Sequence, residues 1–303
     1  MGSALLYANP EGDALEDIVN VSQYPVGSAQ NAGGSVNESW ADMVATTRRA
    51  LATDGCATLP GFLTDEGLRR ARSEISSLMP KAPLRHETSS VYARSDLEVG
   101  LAPDDPRQIQ MSRLIGHLTR DQIPPDVVLA RVYAAPGVKQ FVAACVGEVR
   151  VFEYADPLAG LVVTVTPPGG ELHWHYDTNE FVVTLMVAEP DSGGDFEYCP
   201  GLRSPGNENF DGLGRVLRGE APDVVRRRRL RAGDLQIFLG RYSLHRVTKV
   251  EGQTTRCVGV LSYANRPGVI GPVDRTRSVY GRVTEAHLLA AEFARSSGDG
   301  LIL

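Results

Sequence analysis

From Val149 to Tyr263 the sequence is a series of short β-branched runs separated by Gly- and Pro-containing turns: Val149–Tyr154, Leu161–Thr166, Phe181–Val187, Asp195–Tyr198, Leu235–Leu239 and Cys257–Tyr263. Several short strands at this spacing predict a β-sandwich or barrel. The chain ahead of them has a different texture. Ala41–Thr53 carries Met43, Val44, Ala50 and Leu51 and stops at Asp54-Gly55, which predicts a helix, and Cys56–Pro60 reads as a strand. Thr64 caps a helix predicted over Asp65–Leu78, with Leu68, Ala71, Ile75 and Leu78 on one face. Two short helices, opened by Pro124-Pro125 and by Pro136, account for 121–148. The expected class is therefore α+β, as one domain over 39–303: helices over 39–148, a β-core over about 149–265 and a tail over 266–303. Residues 1–38, rich in Gly, Ser, Asn and Ala, read as a flexible arm or a lid that orders on binding, and 81–110 as a long loop.

A net charge of −6 disfavours a nucleic-acid partner, which would call for a basic face. The one dense basic run, Arg226–Arg229 followed by Arg231, reads as a solvated strand edge or loop. No apolar stretch is long enough to span a membrane, and Met1–Leu6 lacks the basic and apolar regions of a secretory signal. Cys56, Cys145, Cys199 and Cys257 are widely spaced, so they read as buried thiols of a reducing cytoplasm.

The chemistry is concentrated in Glu171-Leu172-His173-Trp174-His175-Tyr176-Asp177. Alternate residues of a strand share a face, so His173, His175 and Asp177 can point one way while Trp174 packs on the other. His245 follows the predicted strand Gly233–Leu239 and the turn Gly240-Arg241-Tyr242. Two imidazoles and a carboxylate form the facial triad of non-haem Fe(II) oxygenases, which leaves coordination positions for a cosubstrate and dioxygen. Both His173-x-His175 and His175-x-Asp177 have the required spacing. His175 and Asp177 are the better pair, because the carboxylate suits a hard ferrous ion and leaves the site a charge of about +1. His173 is then placed to contact substrate or cosubstrate. Arg256 is expected to return beside His245 through a hairpin turn at Glu251-Gly252-Gln253. A guanidinium inside a barrel requires an anion, and the far carboxylate of an iron-chelating dicarboxylate would serve.

His175-x-Asp177, His245 and Arg256 resemble the iron and cosubstrate motif of the Fe(II)/2-oxoglutarate-dependent oxygenases. The resemblance implies a double-stranded β-helix, a jelly-roll related to cupins, with Fe(II), 2-oxoglutarate and O2 as cofactors. A narrower resemblance over roughly 85–282 is carried by Tyr154–Gly160, Trp174–Phe181, Gly193–Glu197 and Gly240–Val247. These segments are similar to bacterial free-amino-acid hydroxylases and the related radical amino-acid halogenases. Halogenases have glycine where this chain has Asp177, which frees a position for chloride, so the resemblance implies hydroxylation in specialised metabolism. The same oxidation diverted to desaturation or ring closure is the first alternative. A jelly-roll binding module without turnover, and action on a carrier-tethered substrate docked at Arg226–Arg231, are further ones.

An amino-acid substrate would need a carboxylate for its ammonium and an arginine for its carboxylate. The candidates are Glu153 and Asp156 before the core, Arg94, Asp105 and Arg107 in the long loop, and Asn265 and Arg266 after the last strand. Each also fits ordinary surface polarity. The expected partner is a small molecule, with a homodimer left open.

Overall fold

The computed structural model describes residues 14–27, 38–96 and 99–293. Its first half is α1 (Leu15–Ile18), α2 (Glu38–Asp54), β1 (Cys56–Leu59), α3 (Asp65–Leu78), β2 (Leu84–Ser89), β3 (Met111–Leu118), α4 (Val128–Ala134) and α5 (Pro136–Val146). The second half is β4 (Phe152–Glu153), β5 (Leu161–Thr166), β6 (Leu172–His175), β7 (Val182–Ala188), β8 (Ser192–Gly193), β9 (Phe196–Cys199), α6 (Phe210–Leu217) and β10 (Arg226–Arg228). It continues with β11 (Leu235–Phe238), β12 (Leu244–Val247), β13 (Val250–Glu251), β14 (Arg256–Leu261), β15 (Tyr263–Ala264), α7 (Val273–Tyr280) and α8 (Glu285–Phe293).

Two antiparallel sheets carry the site. The larger has the order β1-β11-β7-β14-β5-β3-β2 and the smaller β10-β9-β12-β6. From β5 to β14 the chain moves repeatedly between them, which is the double-stranded β-helix. The central strands β5, β7, β11 and β14 of the larger sheet are buried on both faces, so they read as near-continuous apolar runs and not as alternating ones. Leu161, Val163 and Val165 of β5, Val183, Leu185 and Val187 of β7, and Leu235 and Ile237 of β11 join one core with α2, α3, α4 and α5. The intervening Val162, Thr164, Val182, Thr184, Gln236 and Phe238 line a cavity on the other face. Burying each large aliphatic side chain is worth about 1.5–3 kcal/mol, so a one-residue slip that swapped the two faces would be strongly opposed. The smaller sheet turns Trp174 and Leu244 outward into a second cluster with Leu213 and Val216 of α6. Trp174 thus packs away from the cavity, as its alternation predicts.

Several boundaries differ from expectation. The 1–38 arm does not hold for residues 14–27: Ile18, Val19, Tyr24 and Val26 are buried in the main core. Thr64 caps α3 by accepting from the Gly67 N–H and also donates to the Asp17 carbonyl. A side chain at Gly67 would lie 2.3 Å from the Ile18 carbonyl oxygen, so that glycine seats the segment. The remainder of the arm, 1–13 and 28–37, lies outside the described residues. The 81–110 loop contains β2, an edge strand paired with β3 whose charged residues hid its alternation. The 266–303 tail includes α7, which lies over the cavity, and α8; 294–303 lies outside the described residues.

Candidate active site

The end of β6 and the start of β12 pair with His245 opposite His175. This register brings the imidazole centroids to 4.1 Å. Asp177 follows β6, its N–H donating to the Gly240 carbonyl at 3.1 Å. One ligand atom from each of His175, Asp177 and His245 lies within 4.8 Å of the others, a group that could hold a metal ion. Both histidines are oriented by backbone. His175 Nδ1 donates to the His173 carbonyl at 2.8 Å, and His245 Nδ1 to the Ser243 carbonyl at 3.0 Å. Carbonyls only accept, so both rings carry Nδ1–H and present an Nε2 lone pair to the centre. Burial, and then the neighbouring His245, hold His175 well below the usual histidine range, which keeps it in the ligating form. Asp177 Oδ2 is buried without a hydrogen-bond partner and lies 3.5 Å from His245 Nε2. An unpaired carboxylate oxygen facing two lone pairs is unfavourable without a cation among them, so the donor set fits Fe(II).

Arg256 enters the same cavity from the opposite sheet. The expected hairpin beside His245 does not form, because Val250–Glu251 pairs with Ser192–Gly193 and the chain crosses to β14, between β5 and β7. Arg256 therefore faces the triad across the interior. Burial pulls its guanidinium down to about 10, and its Nε has no hydrogen-bond partner; nor does the hydroxyl of Thr166, its register partner on β5. A dry, unsatisfied guanidinium fits the distal carboxylate of 2-oxoglutarate.

The halogenase D family model matches residues 39–276. The chain belongs to the halogenase D family. No curated protein matches this halogenase D family member in sequence. Among solved structures, it is similar to AviO1 from Streptomyces viridochromogenes Tue57, with TM-score 0.50 and 16% identity over 75% of this chain and 97% of that one. A 2OG-Fe(II) oxygenase-family oxidoreductase from Burkholderia pseudomallei gives 0.47 and 14% over 75% and 92%. HygX from Streptomyces hygroscopicus, solved with nickel, 2-oxoglutarate and hygromycin B, gives 0.46 and 13% over 72% and 86%. Family membership and a fitting donor set make the chain an Fe(II)/2-oxoglutarate-dependent oxygenase, an enzyme that uses Fe(II), 2-oxoglutarate and O2. Among the described residues, no helix is long and apolar enough to cross a membrane.

The expected substrate contacts fare differently from the triad. His173 lines the cavity, but both its ring nitrogens are engaged: Nδ1 donates to the Trp174 carbonyl at 2.8 Å and Nε2 accepts from the Ser89 hydroxyl at 2.9 Å. Burial lowers its pKa to about 4, so it stays neutral. Glu153 is outside the cavity, paired with Lys139 at 2.8 Å. Asp156 is fully buried and accepts from the N–H groups of Leu158, Ala159 and Gly271 and from His287 Nε2, which makes it a structural hub. Asp105 and Arg107 pair with each other at 2.6 Å, and the guanidinium stacks 4.6 Å over Phe210. Arg94, Asn265 and Arg266 are exposed and do not line the cavity. The Arg226–Arg231 run is a paired strand edge: Arg226 and Arg228 meet Asp54, Arg227 meets Glu197, and Arg231 meets Glu189.

The residues that sequence reasoning missed come from β3 and α7. Arg113, His117, Arg275, Thr276 and Tyr280 all line the cavity. The His117 ring meets Tyr280 edge-on at 5.3 Å, and burial with the nearby arginines lowers its pKa to about 3. Pro272 before a short polar helix was the one available signal for α7.

Proposed function

We propose that this halogenase D family member hydroxylates an unactivated C–H bond of a small amino-acid-class substrate in specialised metabolism. In this reading His175, Asp177 and His245 hold Fe(II), and Arg256 takes the distal carboxylate of 2-oxoglutarate. The iron, with 2-oxoglutarate and O2, supplies the oxidising power for C–H cleavage. The chain does the rest. His173 and Ser243 carbonyls fix the tautomers of the two ligating imidazoles. Arg256 orients the cosubstrate by charge, and the apolar walls of a cavity of about 230 Å³ limit water at the reacting centre.

One observation carries hydroxylation over halogenation: a carboxylate, Asp177, sits in the triad with its Oδ2 free to ligate. In the radical halogenases that this sequence resembles, chloride takes that position. An anionic ligand there both fills the space and removes the charge that would attract chloride. We infer a cytoplasmic setting, supported by four free and buried cysteines. The test is anaerobic reconstitution with Fe(II) and 2-oxoglutarate, then an amino-acid panel scored for succinate release and product mass with and without chloride. The expected product is heavier by about 16 mass units in both conditions. A chloride-dependent product with the two-isotope chlorine pattern would overturn the reading.

A further inference from the structure

Among the described residues, three guanidinium groups line the cavity, and they differ in what they already hold. Arg113 pairs with Glu87 at 2.5 Å and also donates to the Ser278 carbonyl at 2.9 Å. Arg256 faces the position assigned above to 2-oxoglutarate. Arg275, from α7, donates to the Tyr176 carbonyl at 2.6 Å and has no salt-bridge partner among the described residues. Burial lowers its pKa, with the charge of Asp177 opposing that effect. Its bond to the Tyr176 carbonyl, between His175 and Asp177 in the chain, puts Arg275 on the triad side of the cavity.

Charge balance sharpens this. With Fe(II) and 2-oxoglutarate bound, the charges of the iron, Asp177, the cosubstrate and Arg256 cancel, and Arg113 shares Glu87 with Arg85. Arg275 is left without a counter-ion among the described residues. A guanidinium in a largely dry cavity without a counter-ion is strongly unfavourable, so the site selects an anionic group. The neighbourhood can also hydrogen-bond it: the His117 imidazole and Tyr280 hydroxyl line the same cavity and make no hydrogen bond among the described residues.

Neutral oxygens of Thr178, Asn179 and Ser262 line the cavity and could accept from an α-ammonium, but the walls offer no counterpart for a second cation. Asp177 is the only acidic side chain lining the cavity among the described residues. Val162, Val182, Phe196, Phe238, Val258 and Val260 make much of the surface, and Glu153 and Asp156 are engaged elsewhere. We propose that Arg275 holds the carboxylate of a substrate whose body is apolar, so that amino acids with cationic side chains are the wrong class for this site. The assignment rests on the oxygenase reading above and narrows its substrate.

The experiment is calorimetric titration of the full chain loaded with Mn(II) and 2-oxoglutarate. The probes are L-leucine, L-norleucine, n-hexanoate, L-leucinamide and L-lysine. At least one of the three apolar acids should bind, and about 30-fold or more tighter than L-leucinamide and L-lysine. Arg275→Gln should bring the acid and the amide within a few-fold of each other without changing 2-oxoglutarate affinity, and Arg275→Lys should restore part of the preference. Tightest binding by L-lysine, equal binding of acid and amide, an undiminished preference in Arg275→Gln, or no binding by any of the three acids while 2-oxoglutarate binds would each overturn the assignment. Should Arg275→Gln misfold, the wild-type comparison of acid, amide and lysine still decides. Failure of 2-oxoglutarate itself to bind would refute the oxygenase reading, and the substrate assignment with it.

Discussion

Replacing Gly240 by alanine tests how the triad is seated. A Cβ built at Gly240 would lie 1.8 Å from Asp177 Oδ2, 2.7 Å from its Cγ and 3.0 Å from its Cβ. Gly240 is not in the left-handed region, so alanine adds no backbone strain, and the clash with Asp177 is the whole effect. Ordinary contact begins near 3.4 Å, so the carboxylate oxygen must retreat by roughly 1.6 Å. Metal ligands tolerate only about 0.2 Å, so a shift this size removes Asp177 from the coordination sphere. Metal affinity should fall by at least about 10–100-fold, the range seen when support for a ligand is lost. Titration of the apo-protein with Mn(II), alongside its thermal midpoint, separates ligand loss from unfolding. A double-mutant cycle isolates the cause: in an Asp177→Gly background, adding Gly240→Ala should cost almost nothing further. Unchanged affinity in Gly240→Ala, or an equal additional loss in the double mutant, would refute the argument.

Arg256→Leu should weaken 2-oxoglutarate binding about 30-fold or more while leaving metal affinity unchanged, since a charged hydrogen bond in a dry pocket is worth about 2–5 kcal/mol. Equal 2-oxoglutarate affinity in a direct titration would contradict its assigned role. Asp156→Ala strands three backbone N–H groups and the Nε2–H of His287; a loss of about 3–5 kcal/mol is expected in urea unfolding, and a loss below 1 kcal/mol would count against the hub. His117 is neutral in the folded chain down to about pH 3, whereas in the unfolded chain it takes up a proton near 6.5. The unfolded state therefore binds more protons between those values, and stability falls as pH is lowered from about 6.5 toward 3, by at most about 1.4 kcal/mol per pH unit. His117→Phe should flatten that slope in apo-protein urea titrations; an identical slope would remove His117 as a source.

The legible parts of the chain are those where one local pattern has one outcome. His175-x-Asp177 on a strand, a later histidine and an arginine near the last core strand suffice to find the centre. Thr64 and the apolar stripe of α3 give that helix its observed bounds. Arg256 lines the cavity but does not reach it by the expected hairpin, because adjacency in sequence favours a hairpin while the jelly-roll sends the chain to the other sheet. Asp156 is a candidate by its charge, yet a carboxylate satisfying three buried amides looks the same in sequence as one awaiting a ligand. Arg275 had no signal of its own. In an eight-residue helix with charges on several sides, the inward arginine is distinguished only by what lies beneath it.

The arginine-coated strand β10 has a consequence for how this chain behaves at high concentration. It ends the smaller sheet, and such an edge could template a further strand. Arg226, Arg227 and Arg228 are all exposed there. Two copies meeting edge to edge would set three guanidinium groups against three, with the acids that balance them sitting inboard on Asp54 and Glu197. Strand-by-strand growth into fibrils is thus penalised at this border by electrostatic repulsion, a protection that strong salt would erode.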